Sequence, residues 1–177
     1  MRRALRIALA TLAAGIVGCG SDGGAVAERG PDARAGDAAG VLDAPDDEAS
    51  LVAFLTAGNY ETWAKEADYH ESAGPHGKSV RVYYSAKAAQ ALHGGAAAFP
   101  AGAASVKELE SDGSLYGWSV WVKVQDATEG GNGFFWYERI RRDDGNDLVY
   151  GNARGSGDCV GCHRGGMDFD LSTLPFE

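Results

Sequence analysis

Cysteine, methionine and histidine are scarce in this sequence of 177 residues, which holds three, two and four of them. Beside the pair Cys159 and Cys162 there is no second Cys/His pair, so a closed four-ligand zinc site lacks its other half. Aromatic residues are missing before Phe54, and large aliphatics are few from Gly20 to Pro45. Such a stretch cannot bury enough surface to offset its ordering entropy. The one long apolar run, Ile7 to Gly18, is too short to span a bilayer. Positive charge is also in deficit, with 16 Lys and Arg against 25 Asp and Glu. An acidic surface repels nucleic acid and anionic lipid headgroups and suits a neutral or cationic small molecule, or a basic redox partner such as a soluble cytochrome. No internal repeat marks a solenoid.

What the N-terminus does contain is ordered like an export signal. Arg2, Arg3 and Arg6 precede the apolar run, and Ile16-Val17-Gly18 leads into Cys19. Residues 1–18 thus read as a lipoprotein signal peptide with Cys19 as the lipidated first residue, and an ordinary secretory signal is the alternative. Cleavage removes three of the 16 basic side chains, leaving 13 against 25 acids, a formal charge of -12. Residues 19–45 read as a tether and residues 46–177 as one domain, which places the protein in the cell envelope, facing the periplasm, held to the membrane by lipid alone.

Within that domain, Asp46 or Asp47 caps a helix carrying Leu51, Phe54 and Leu55, stopped at Gly58. Ser85 caps another through Leu92, closed by Gly94 and Gly95. Val80–Tyr84, 104–110, 118–124 and 134–142 read as strands, and Leu148–Tyr150 as a short fifth. The expected class is α+β and β-rich, a twisted antiparallel sheet of about 4–5 strands flanked by helices, with a C-terminal haem-attachment helix. That last element rests on Cys159-Val160-Gly161-Cys162-His163. Thiols three residues apart lie on one side of a helical turn, where they can add across the two vinyl groups of a haem. The next imidazole then reaches the iron, the c-type attachment pattern. With Cys19 lipidated, no cysteine is left for a disulfide.

A haem used only to carry electrons needs a sixth ligand. Met1 leaves with the signal and Met167 is tied to the side of His163, which argues against a His/Met carrier. His70, His76 and His93 remain, but the favoured state is a five-coordinate iron with an open distal position. Strand parity adds two side chains. If Glu108 and Glu110 face water, Lys107 points inward, against the contrary vote of Val106. Glu138 shares a face with Phe134, Trp136 and Ile140, where desolvation would poise a carboxylate for proton transfer. The plainer alternatives are a Lys107 that snorkels to an acid and a Glu138 at a wet strand edge.

From Tyr60 to Phe176 the chain resembles the cytochrome P-460 family, which includes the cytochromes c′-beta. The likeness lies in Tyr60-x-x-Trp63, GPHG at 74–77, VRVYY at 80–84, FPAGAASVKEL at 99–109, GWSVWVK at 117–123, FFWYE at 134–138, and CVGCH followed by DFDLS at 168–172. The resemblance implies one covalently attached haem c, with Lys107 of the VKEL motif cross-linked to the ring, and a homodimer. It implies hydroxylamine oxidation with a distal acid, for which Glu138 is the candidate, and a distal arginine, for which Arg81 is the nearest match. The alternative it implies is a cytochrome c′-beta that binds nitric oxide or carbon monoxide without catalysis, its distal side lined by aromatics such as Phe134 and Phe135. A bis-His electron carrier using His76 or His93 is the third reading.

Overall fold

The computed structural model describes residues 42–72 and 74–172. Cys19, the signal segment and most of the tether lie outside the described residues. Among the described residues, three helices and a short 3₁₀ turn surround one sheet: α1 (Glu48–Thr56), β1 (Ala64–Lys65), β2 (His70–Glu71), β3 (Ser79–Tyr84), α2 (Ala86–His93), β4 (Ala104–Ser111), β5 (Ser114–Lys123), β6 (Phe134–Ile140), β7 (Leu148–Arg154) and α3 (Gly157–His163). Each strand pairing is antiparallel, in the order β1-β3-β4-β5-β6-β7, with β2 pairing the other end of β3. The class is therefore α+β, and the sheet has seven strands rather than four or five. The extra two are two-residue pieces, too short to show alternation.

Local chemistry sets the helix ends. Asp47 caps α1 by accepting from the Ser50 N–H at 3.0 Å, and Ser85 caps α2 by accepting from the Ala88 N–H. The Ser85 hydroxyl oxygen also accepts from the Ala104 N–H at 3.0 Å, which ties the start of α2 to β4. Residues 42–45, expected to end the tether, belong to the domain instead. Ala44 is 2% exposed in the core, the Asp43 N–H donates to the Gly102 carbonyl, and the Asp43 carboxylate pairs with Lys87.

Both faces of the sheet are covered. Leu51 and Leu55 of α1 pack with Tyr60, Val106, Trp118, Val120, Val122 and Tyr137 on one face. Val82, Tyr84, Trp121, Phe134 and Trp136 pack with α2 and Val160 of α3 on the other. Double coverage overturns the premise that Glu108 faces water: it is 6% exposed. Its carboxylate accepts hydrogen bonds from Tyr60 at 2.7 Å, from Tyr83 at 3.1 Å and from Tyr69, while Trp118 Nε1 donates to the Tyr60 hydroxyl at 3.0 Å. Burial, reinforced by Glu108, pushes the Tyr83 phenol up to about 12 and those of Tyr60 and Tyr69 above their usual value, so all three stay protonated donors. Glu108→Gln removes the charge and turns one acceptor into a donor that faces phenol donors. A loss of about 1–3 kcal/mol is expected in urea unfolding.

Candidate functional site

Strand register builds the site. Val82 of β3, Lys107 of β4, Ser119 of β5 and Glu138 of β6 are aligned partners and so share one face of the sheet. The adjacent row, Arg81, Glu108, Trp118 and Arg139, faces the other way. Lys107 therefore points away from Glu108, into a cavity of about 590 Å³ lined also by Val80, Val82, His70, His76, Cys162 and His163. The inward direction expected for Lys107 is what the register produces, although Glu108 does not face water. Val106 is buried because its face is a second core.

Arg81 is a correction. It stands in the opposite row, where its guanidinium donates to the Glu66 and Ala67 carbonyls at 2.8 and 2.9 Å and lies against the Tyr69 and Tyr83 rings. It does not line the cavity. Phe134 and Phe135 split between the two cores, as consecutive strand residues must. His93 ends α2, exposed and away from the cavity lining.

The short helix α3 carries Cys159, half-buried against the second core, Cys162, exposed at the cavity, and His163, 9% exposed. The His163 ring lies 4.9 Å from the Trp136 ring, centroid to centroid. Its Nδ1 is 2.8 Å from the Phe169 carbonyl oxygen. A carbonyl only accepts, so Nδ1 bears the proton and Nε2 keeps its lone pair. Burial also holds the imidazole below its usual value, which favours the neutral, ligating form.

Two left-handed residues, Asp168 (φ 44°) and Phe169 (φ 69°), aim that carbonyl. The Asp168 carboxylate clamps them: it accepts from the Phe99 N–H and from Lys123 Nζ, each at 2.8 Å, and from the Thr128 hydroxyl. Lys123 is fully buried and its ammonium sits 4.2 Å from the Phe134 ring centre. Sequence reasoning assigned this clamp no role. Its one local signal is the alternation of β5, which sets Lys123 on the face of Trp121.

Charges at the cavity are pushed toward neutrality. Burial lowers the Lys107 amine, against the pull of Asp170, Glu66 and Glu138, and raises the Asp170 carboxyl, against Lys107. In chain expressed without haem attachment, Lys107→Met is expected to be more stable than the parent at neutral pH. Below the folded-state pKa both folded and unfolded chains carry the proton, and the penalty is complete. It fades as pH rises from there to 10.5, above which neither state is charged, so the stability gap should close over that window. Thermal melts of both chains across that range check the sign.

Glu138 is 8% exposed and accepts a hydrogen bond from His76 Nδ1. His76, not Glu138, reaches the cavity. Its loop is seated by Gly77 (φ +96°), where a Cβ would fall 1.7 Å from the Tyr116 hydroxyl oxygen. Gly77→Ala should cost about 1–3 kcal/mol and displace His76. Tyr116→Phe should ease the clash, leaving the ring Cζ 2.9 Å from the new Cβ, and should not touch the backbone strain, so melting of the double variant should recover only in part.

No family model, curated protein or solved structure matches this chain. The donor set must speak for itself. Among the described residues no group of three or more His, Cys, Asp and Glu side chains is arranged to hold a bare metal ion, and no helix is long and apolar enough to cross a membrane. Cys162 and His163, whose Nε2 lone pair is intact, line the cavity of about 590 Å³, and Cys159 stands one helical turn away against the second core, a set that could hold a covalently attached, metal-bearing ring.

Proposed function

We propose that this chain is an exported mono-haem c-type cytochrome of the P-460 kind that oxidises hydroxylamine or a related small nitrogen species and passes the electrons to an external acceptor. The observation that carries this reading is the meeting of Lys107, Cys162 and His163 in one cavity, though they come from motifs over fifty residues apart. A haem bound there would supply one-electron redox chemistry and a position for a small ligand. Cys159 and Cys162 would hold it by thioethers and His163 Nε2 would serve as the proximal ligand. Lys107, its amine biased toward the neutral form by burial, would join the ring edge by a C–N bond that replaces an N–H and a C–H bond, with two protons passing to solvent and two electrons to the external acceptor. Glu138 takes protons through His76, which it orients, rather than by touching the ligand itself. The envelope location rests on the N-terminal sequence alone.

An apolar wall of Pro75, Val80, Val82 and Leu171 favours a second reading, capture of nitric oxide or carbon monoxide without turnover. The experiment is expression with a c-haem assembly system, followed by haem staining of a denaturing gel and hydroxylamine-dependent reduction of an acceptor dye. Stained protein that reduces the dye supports the first reading. Stained protein that binds gas and never reduces dye supports the second, and unstained protein overturns both.

A further inference from the structure

The rings of His76 and His163, which both line the cavity, meet edge-on, with centres 5.9 Å apart and planes at 65°. Two imidazoles that each bind one metal atom at roughly 2 Å, from opposite sides, place their ring centres roughly 6 Å apart. Both rings are anchored in the same sense. His163 gives its Nδ1 proton to the Phe169 carbonyl, and His76 gives its Nδ1 proton to the Glu138 carboxylate, since neither oxygen can donate. That leaves Nε2 of each ring as the lone pair on offer. A carboxylate behind an imidazole is also the arrangement that fixes the tautomer and raises the basicity of a metal-binding histidine. His70, the other histidine of the cavity lining, has its Nε2 engaged with Glu66 at 3.0 Å. His76 is thus the histidine of this wall with its Nε2 lone pair available.

We infer that His76, oriented by Glu138, is a second axial ligand to the metal held by His163, and that an incoming small molecule must displace it. This rests on the haem reading above and replaces its permanently open distal position with a protected one. Displacement frees the Nε2 lone pair beside the incoming molecule, where it can accept that molecule's proton. Glu138 is a positioning residue here, acting on the metal only through His76.

The test is electron paramagnetic resonance of the haem-loaded ferric protein at neutral pH, with haem attachment scored separately on a denaturing gel. A low-spin signal is expected in the parent, and His76→Ala should convert it to high spin with the haem stain unchanged. Free imidazole added to that variant should restore the low-spin signal. Carbon monoxide should bind the reduced variant at least tenfold faster than the parent. Glu138→Gln should keep the low-spin signal and raise the midpoint potential, because a less basic imidazole stabilises the ferric state less, an effect that a merely structural His76–Glu138 pair would not produce. A stained parent protein that is high spin overturns the inference alone, whatever the variants do. A low-spin signal that survives His76→Ala overturns it as well. A parent protein with no haem stain overturns the haem reading and the inference together.

Discussion

Lys107→Met should abolish hydroxylamine-dependent dye reduction, a fall of about a hundredfold or more, while the haem stain of the denatured protein stays as strong as the parent's. Two features of the site set the size of this effect. The amine stands in the row Val82–Lys107–Ser119–Glu138, on the cavity side of the sheet, so no other lysine of the lining can substitute for it. Burial lowers its pKa, so its lone pair is more available than a surface lysine's, and it would meet a bound ring in that form. Methionine keeps an unbranched apolar stem out to Cε, with sulfur in place of the Cδ methylene, and lacks the amine. Cys159 and Cys162, which would form the thioethers, stand on α3, far in sequence from β4, so attachment should not depend on Lys107. Mass spectrometry of haem-bearing peptides completes the test: in the parent, a peptide containing Lys107 should travel with the peptide containing Cys159 and Cys162, and in the variant it should not. Undiminished turnover in the variant would remove Lys107 from the chemistry.

Asp168→Ala should destabilise the protein by about 3–5 kcal/mol in urea unfolding, because it leaves the ammonium of Lys123 buried without its carboxylate. The Phe99 N–H and the Thr128 hydroxyl lose their acceptor at the same time. Replacing both ionic partners, as in Lys123→Met with Asp168→Leu, should recover much of the loss, since the desolvation of two charges then disappears along with their attraction. Function should not recover to the same degree. Asp168 and Phe169 are held in the left-handed region by this clamp, and the Phe169 carbonyl they aim is what fixes the His163 tautomer. A stable double variant should therefore show a disturbed proximal ligand, read as a changed spin state or a shifted midpoint potential. If its spectrum matches the parent's, the clamp is a stability element and nothing more.

Short-range patterns in the sequence settled the elements themselves. Caps at Asp47 and Ser85, glycines after each helix, five strand segments and the helical turn that sets Cys159 and Cys162 three residues apart are all written within a few neighbouring residues, and the chain adopts them. Parity alone left the face of Lys107 open, since Glu108 and Val106 pointed opposite ways, and the second core together with the strand register decided it. Glu108 was misjudged because the sheet is covered on both sides, which erases the polar–apolar contrast that parity arguments rely on, whereas Arg81, a candidate only through the family resemblance, stands on the other face of the sheet. What only the tertiary structure decided are the pairings across long separations: His76 with Glu138, Lys123 with Asp168, and His76 opposite His163. Each depends on the register of strands and on where a loop or a terminal turn folds back over them. Such contacts join residues dozens of positions apart whose local sequence is compatible with many partners, and close packing of the assembled sheet and helices selects one.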